Sequence, residues 1–237
     1  MSFDSFNKEN IDKYLKELAK EFRRINGKSA QAELVLVGGA AILTSYNFRN
    51  STMDIDAVFY AASSMKDAIN SVGDKYDLPN GWINADFMRT KSYSHKINEF
   101  SVYYKTYYGV LSVRTIEAEY LIAMKLCSGR KYKSDYSDII GILAEHEKRG
   151  NPISFDQVQK AVYNLYGGWE YISHEAKNFL EDALKNGKYE YVYLITKRKE
   201  KESREILIGF AKDYPTVAKE SNVDDILMSL RAKRHQE

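Results

Sequence analysis

The spacing of apolar residues predicts a mixture of helices and strands over the first 115 residues. Apolar side chains recur at helical intervals from Ile11 to Ile25, and Asn26-Gly27 is a typical helix stop. Val- and Tyr-rich runs on either side of Tyr108-Gly109 indicate a hairpin. The predicted elements are helices over about 11–25, 40–46 and 63–72, and strands over about 33–37, 52–60, 82–88, 99–104 and 110–114.

Beyond residue 115 the pattern is helical. Thr115 is a suitable N-cap for a helix that ends near residue 126, and Ser134 for a helix over 135–148 that Asn151-Pro152 breaks. Further helices are predicted over about 155–166, 174–184, 190–212 and 223–234. We therefore expect an α+β protein with an α/β domain over residues 1–115, built on a mixed sheet flanked by helices, and a helical-bundle domain over 116–237.

Composition narrows the class of protein without indicating its activity. The 237 residues are 44% hydrophobic, enough for a core, and the formal net charge of +2 neither requires nor excludes a nucleic-acid partner. The single cysteine, Cys127, excludes an intrachain disulfide. Because no apolar run reaches membrane-spanning length and the N-terminus lacks an apolar signal core, we expect a cytoplasmic protein with no membrane partner.

Two aspartates on the second predicted strand are the strongest indication of chemistry. Side chains alternate along a strand, so Asp54 and Asp56 should share one face while Ile55 points to the core. Neighbouring carboxylates repel each other unless a cation lies between them, and Mg²⁺ binds one or two carboxylates together with phosphate oxygens. Gly38-Gly39 follows the first strand and lets the backbone approach an anion closely. The pattern predicts phosphoryl or nucleotidyl transfer.

Two sequence blocks resemble a known family. Arg49-x-x-Thr52-x-Asp54-x-Asp56 is similar to the R-x-x-T-x-D-x-D element of AbiEii-like nucleotidyltransferases, which belong to the DNA polymerase β-type superfamily and include toxins of bacterial toxin–antitoxin systems. The stretch 121–138, which contains Leu-Ile-Ala-Met-Lys, an arginine and Asp-x-x-Asp, resembles a second motif of that family. The resemblance covers residues 33–145 and implies transfer of a nucleoside monophosphate from an NTP to an acceptor. RNA or tRNA is a candidate acceptor, and a cognate antitoxin is a candidate protein partner.

The resemblance also implies roles for individual residues. Mg²⁺ or Mn²⁺ would be held by Asp54 and Asp56, with Asp86 or Glu99 as candidates for a third carboxylate. Asp138 is the remaining catalytic candidate and Asp135 supports it. The residues implied to bind the nucleotide are Gly38, Gly39, Arg49, Thr52, Lys125 and Arg130, of which Lys125 is also a catalytic candidate.

Structural interpretations of the same residues stay open. Lys125 could simply extend along the edge of the core, and Asp135 and Asp138 are residues that helix-dipole stabilisation alone would favour in a first turn. Gly38-Gly39 could belong to a dinucleotide fingerprint, but the third glycine and further βαβ units are missing. Ala40 stands where many superfamily members have serine, so a non-catalytic nucleotide-sensing or partner-binding module is the alternative function.

Basic residues in the helical half are candidates for contact with a polyanion. They are Lys197, Arg198, Lys199, Lys201, Arg204, Arg231, Lys233 and Arg234. The charge run over 197–205 also contains Glu200, Glu202 and Glu205, and such mixed charge is typical of a solvated helix face.

Overall fold

A computed structural model describes residues 5–219 and 222–234, without the side chains of residues 233 and 234. The strands are β1 (Ala32–Leu36), β2 (Ile55–Tyr60), β3 (Ile83–Asn84), β4 (Ser101–Tyr107) and β5 (Leu111–Ile116). The helices are α1 (Lys8–Asn26), α2 (Gly38–Ser45), α3 (Met65–Tyr76), α4 (Ala118–Ser128), α5 (Asp135–Lys148), α6 (Phe155–Tyr166), α7 (His174–Asn186), α8 (Tyr189–Asp213) and α9 (Val223–Arg234). Two 3₁₀ helices cover Asp86–Arg89 and Ile97–Phe100.

The five strands form one mixed sheet in the order β3-β2-β1-β5-β4. Strand β1 pairs antiparallel with β2 and parallel with β5, while β2 and β3 are parallel and β4 and β5 form an antiparallel hairpin. Leu34, Val35 and Leu36 are fully buried, so the central strand is covered on both faces. This arrangement confirms the predicted mixed sheet flanked by helices.

The chain divides into two compact units, which do not follow a single boundary. The first comprises the described residues up to Met124 and returns for Asp156–Tyr171. The second comprises Lys125–Phe155 and the described residues from Ile172 onward. The domain boundary predicted at residue 115 therefore differs from the boundaries of these units, and the independent helical domain stays a prediction.

In the first unit, α1 buries one apolar face. Ile11, Leu15 and Leu18 are fully buried, and the Asn7 side chain caps the helix by accepting from the backbone N–H groups of Glu9 and Asn10. Segment 156–171 belongs to the same unit and is held by hydrogen bonds such as that from the Tyr166 hydroxyl to the Ser92 carbonyl, at 2.8 Å.

Several predicted element boundaries are wrong for identifiable reasons. Thr115 lies within β5 and α4 begins at Ala118, so Thr115 is not an N-cap. The second strand begins at Ile55 rather than 52, because Thr52 instead forms an isolated bridge with Phe6. The third strand is only Ile83–Asn84 and is followed by a 3₁₀ helix.

In the described part of the chain, no helix is both long and apolar enough to cross a membrane.

Candidate functional site

The loop between β1 and α2 brings Gly38 against Asp56. Val37 is extended and its backbone N–H donates to the Asp56 carbonyl at 3.0 Å, which joins the end of β1 to the start of β2. Gly38 has φ +56°, a left-handed conformation that favours glycine. A Cβ built on Gly38 would lie 3.3 Å from Asp56 Oδ2. Because residue 38 has no side chain, the Asp56 carboxylate lies directly beside the backbone of Gly38.

Gly39 packs against the two polar residues that precede the aspartates. A Cβ built there would lie 2.5 Å from Thr52 Oγ1 and 2.9 Å from Arg49 Nη2, closer than a real Cβ contact allows. Thr52 is buried and fixed by two backbone hydrogen bonds with Phe6, of 2.8 and 2.9 Å. Arg49 Nε donates to the Ser51 carbonyl at 3.0 Å. Gly38, Gly39, Arg49, Thr52 and Asp56, all predicted from the sequence, therefore lie together.

The two aspartates of the motif differ in their surroundings. Ile55 is fully buried, as predicted. Asp56, the second residue of β2, is half-buried. Asp54 is exposed and lies just before β2, so strand alternation accounts for the direction of Asp56 but does not extend to Asp54. The metal role of both residues stays a prediction.

The position beside Asp56 on the next strand is occupied by an amide. Asn84 on β3 is the register partner of Asp56, and its Oδ1 accepts from the backbone N–H of Asp86 at 2.8 Å. The Asp86 side chain is exposed on the following 3₁₀ helix, 3.7 Å from Arg89, and Glu99 is exposed on the other 3₁₀ helix. Within residues 5–219 and 222–234, no three His, Cys, Asp or Glu side chains form a group that could hold a metal ion.

In the second unit, Lys125 lies within a buried ion cluster. Its ammonium Nζ is 2.9 Å from Asp135 Oδ1 and 2.8 Å from Asp138 Oδ2. Arg130 Nε donates to Asp135 Oδ2 at 2.9 Å, and the Arg130 backbone N–H donates to the same oxygen at 3.1 Å. These four residues, Lys125, Arg130, Asp135 and Asp138, are called the ion cluster below. All four were predicted as site residues, and the structure brings them together.

Electrostatics within the ion cluster favour charged side chains despite burial. Asp135 is fully buried, which disfavours its charge, but the positive charges of Lys125 and Arg130 and their hydrogen bonds outweigh that effect. The pKa of the Asp135 carboxyl is consequently held well below its usual range. Lys125 is 8% exposed, so its ammonium is compensated mainly by protein carboxylates rather than by water.

Glu200 caps α5, a role that the sequence pattern does not predict. Ser134 occupies the N-cap position of α5, but its side chain makes no capping hydrogen bond. Glu200 Oε1 instead accepts from the backbone N–H groups of Tyr136 and Ser137. Glu200, Ser203 and Leu207 recur at helical spacing and are all buried, but two of the three are polar, so no apolar periodicity in the sequence indicates this buried face.

The other charged residues of α8 are largely as the mixed-charge interpretation expects. Arg198 and Lys201 are exposed and lie within 4.0 Å of Glu202 and Glu205, respectively. Two candidates for polyanion contact have protein partners: Arg204 Nε donates to the Tyr132 carbonyl at 3.2 Å, and Arg231 donates to Ser203 Oγ at 2.6 Å. The side chains of Lys233 and Arg234 lie outside the described residues.

Comparison with known proteins identifies the family of this chain. A family model described as a nucleotidyltransferase of unknown function matches residues 13–166, which include both the glycine loop and the ion cluster. No curated protein and no solved structure gives a significant match. Because the matched segment covers more than half of the 237 residues, the chain belongs to this family of nucleotidyltransferases of unknown function (DUF6036).

Proposed function

We propose that the protein is a metal-dependent enzyme that transfers a nucleoside monophosphate from an NTP to an acceptor. The observation that carries this proposal is the packing of Gly38 and Gly39 against Asp56, Thr52 and Arg49. A triphosphate and its cation require these components in one place: backbone N–H groups that are not covered by side chains, a carboxylate and a guanidinium.

The donor set fits a hard divalent cation such as Mg²⁺ or Mn²⁺. Asp54 and Asp56 would hold it through carboxylate oxygens, which these ions prefer. When bound, the cation neutralises charge that develops on the phosphate oxygens. The backbone of Gly38 and Gly39 approaches the triphosphate, and Arg49 adds positive charge with planar donors that suit phosphate oxygens.

The finer features of the proposal come from the family resemblance. By that resemblance, Lys125 and Arg130 would bind nucleotide phosphate, and Asp138, supported by Asp135, is the remaining catalytic candidate. An AbiEii-like, toxin-type enzyme would use an RNA acceptor such as a tRNA end and would have a cognate antitoxin. Acceptors of other kinds, a protein side chain or a small molecule, are outcomes of the same experiment.

The test is transfer of label from each of four α-³²P-labelled NTPs, with Mg²⁺ or Mn²⁺, to total RNA or protein separated on gels. We expect Asp54→Asn and Asp56→Asn to reduce labelling by at least about 100-fold, because each removes charge from the metal site. Asp74→Asn, an exposed aspartate on α3, is the matched control and should retain activity. Full activity in either site variant would contradict the mechanism.

A second candidate is a non-catalytic nucleotide-binding module. It is favoured by the absence of a three-ligand metal group among the described residues. Binding of NTP by wild-type protein, measured by calorimetry, with no labelled product from any NTP or acceptor fraction would select this candidate.

A further inference from the structure

Glu200 makes contacts that the proposed function does not use. It lies in the middle of α8 and is only 4% exposed. Its Oε1 accepts from Tyr136 N at 2.9 Å and from Ser137 N at 3.1 Å, and its Oε2 accepts from Ser137 Oγ at 2.5 Å. The first N–H groups of a helix have no acceptor within that helix, so Glu200 supplies from α8 the cap that Ser134 does not provide.

The turn that Glu200 caps also carries both carboxylates of the ion cluster. Asp135 and Asp138 lie on either side of Tyr136 and Ser137 in the first turn of α5. Both carboxylates contact the Lys125 ammonium, at 2.9 and 2.8 Å. A displacement of this turn would therefore change both distances to Lys125 at once.

We propose that Glu200 is a positioning residue, which fixes the first turn of α5 and thereby holds Asp135 and Asp138 in the arrangement that pairs with Lys125. Glu200 lies outside residues 13–166, so a part of the chain beyond the family match organises residues within it. The consequence for catalysis rests on the proposed function, because it requires Lys125 to act on the nucleotide. The positioning itself can be tested without activity.

The electrostatics of Glu200 indicate that its negative charge does not stabilise its position against α5. Burial raises the pKa of Glu200 to about 7, and the charge of Asp138 on α5 adds to this effect, although the hydrogen bonds from Ser137 and Tyr136 oppose it. The pKa of Tyr136, whose backbone N–H donates to Glu200, is also raised, first by burial and then by neighbouring carboxylates. Ionised Glu200 is thus costly at this position, whereas its acceptor oxygens serve α5 directly.

Two variants separate the acceptor from the charge. Glu200→Met keeps the length of the side chain but removes the acceptors, whereas Glu200→Gln keeps an acceptor for the two N–H groups and removes the charge. Glu205→Met is the matched control, because Glu205 is exposed on the same helix, 3.8 Å from Lys201. The measurements are amide hydrogen exchange of segment 135–138 and the rate at which an amine-reactive ester modifies Lys125, both read by mass spectrometry on the full chain.

We expect Glu200→Met to accelerate exchange in segment 135–138 and modification of Lys125 by about tenfold each. Glu200→Gln should stay within about twofold of wild type, and Glu205→Met should match wild type. If labelled transfer is found, kcat should fall in Glu200→Met and recover in Glu200→Gln. Unchanged exchange and unchanged Lys125 modification in folded Glu200→Met would overturn the proposal, whether or not the protein transfers nucleotides.

A second measurement covers the case in which Glu200→Met does not fold. Between its ordinary value of 4.5 and about 7, the Glu200 carboxyl binds more protons in the folded than in the unfolded protein. The urea midpoint of wild type should therefore fall relative to that of Glu200→Gln as the pH rises through this interval. Parallel midpoints, together with amide exchange in segment 135–138 of wild type that is as fast as in an unstructured peptide, would show that Glu200 does not hold the first turn of α5 and would equally overturn the proposal.

Discussion

Replacement of Lys125 by methionine tests whether the ion cluster is structurally required. Methionine keeps the apolar stem but removes an ammonium that lies 2.9 and 2.8 Å from two carboxylates, whose side chains are 0% and 3% exposed. Removal of one partner from a buried ion pair typically costs about 3–5 kcal/mol, because the other charge stays desolvated. Since Arg130 still donates to Asp135 at 2.9 Å, we expect the lower value, a loss of about 3 kcal/mol.

The assay is urea unfolding at pH 7, followed by circular dichroism. Lys131→Met is the matched control, because Lys131 pairs with Glu175 on the surface, where the two side chains are 36% and 65% exposed. Such a surface pair contributes at most about 1 kcal/mol. The double variant Lys125→Met/Asp138→Asn should recover part of the loss, with a coupling energy of about 2 kcal/mol between the two sites.

The deficit of Lys125→Met should also depend on pH. The pKa of Asp135 is lowered in the folded protein, so its contribution to stability is present above its unfolded value, 3.8, and is lost as the pH falls. Because Lys125 supplies part of that lowering, the difference between variant and wild type should shrink toward pH ~3. Equal stability of the two proteins at pH 7, or a deficit that grows as the pH falls, would refute this reasoning.

Two further predictions rest on close packing and on capping, and both are measured by urea unfolding. Gly39→Ala should lower the free energy of unfolding by about 1 kcal/mol net, because crowding of Thr52 costs about 1–3 kcal/mol and the higher helix propensity of alanine offsets about 1 kcal/mol. Gly209→Ala, in open space on α8, should raise the free energy of unfolding by up to about 1 kcal/mol. A Gly39→Ala protein that is more stable than wild type would contradict the close packing. Ser173→Ala should cost about 1 kcal/mol because its hydroxyl caps α7, while Ser134→Ala should cost under about 0.5; equal losses would show that Ser134 caps after all.

Local patterns in the sequence were sufficient to predict most helices and the hairpin. The predicted helix over 155–166 coincides with α6, and the Val- and Tyr-rich hairpin forms β4 and β5. Such elements depend on periodicity and turn residues a few positions apart, which a single sequence contains. The glycine loop was likewise predictable, because Gly38 adopts a backbone conformation that other residues seldom take.

Features that depend on distant partners could not be obtained in this way. Ser134 has the right type and position for a cap, yet the acceptor for α5 comes from Glu200, more than 60 residues further along the chain. Mixed charge over 197–205 predicts a solvated helix face that includes Glu200, because alternating signs do not indicate which side of a helix is buried. The alternating pattern predicts Asp54 on a strand that in fact begins one residue later, because the pairing of Thr52 with Phe6 joins residues far apart in the sequence.

The ion cluster and Glu200 together show why stability alone is a poor explanation for buried charge. Desolvation of ion pairs cancels much of their attraction, and well-packed apolar residues of similar volume are often at least as stable. Lys125, Asp135 and Asp138 are nonetheless buried in direct contact with one another, and burial raises the pKa of Glu200 beside them. Hydrogen-bonded ions also fix directions and distances that apolar contacts leave free, so the ion cluster gives the first turn of α5 a defined geometry. A defined geometry at Lys125 is also what its proposed role on the nucleotide would require.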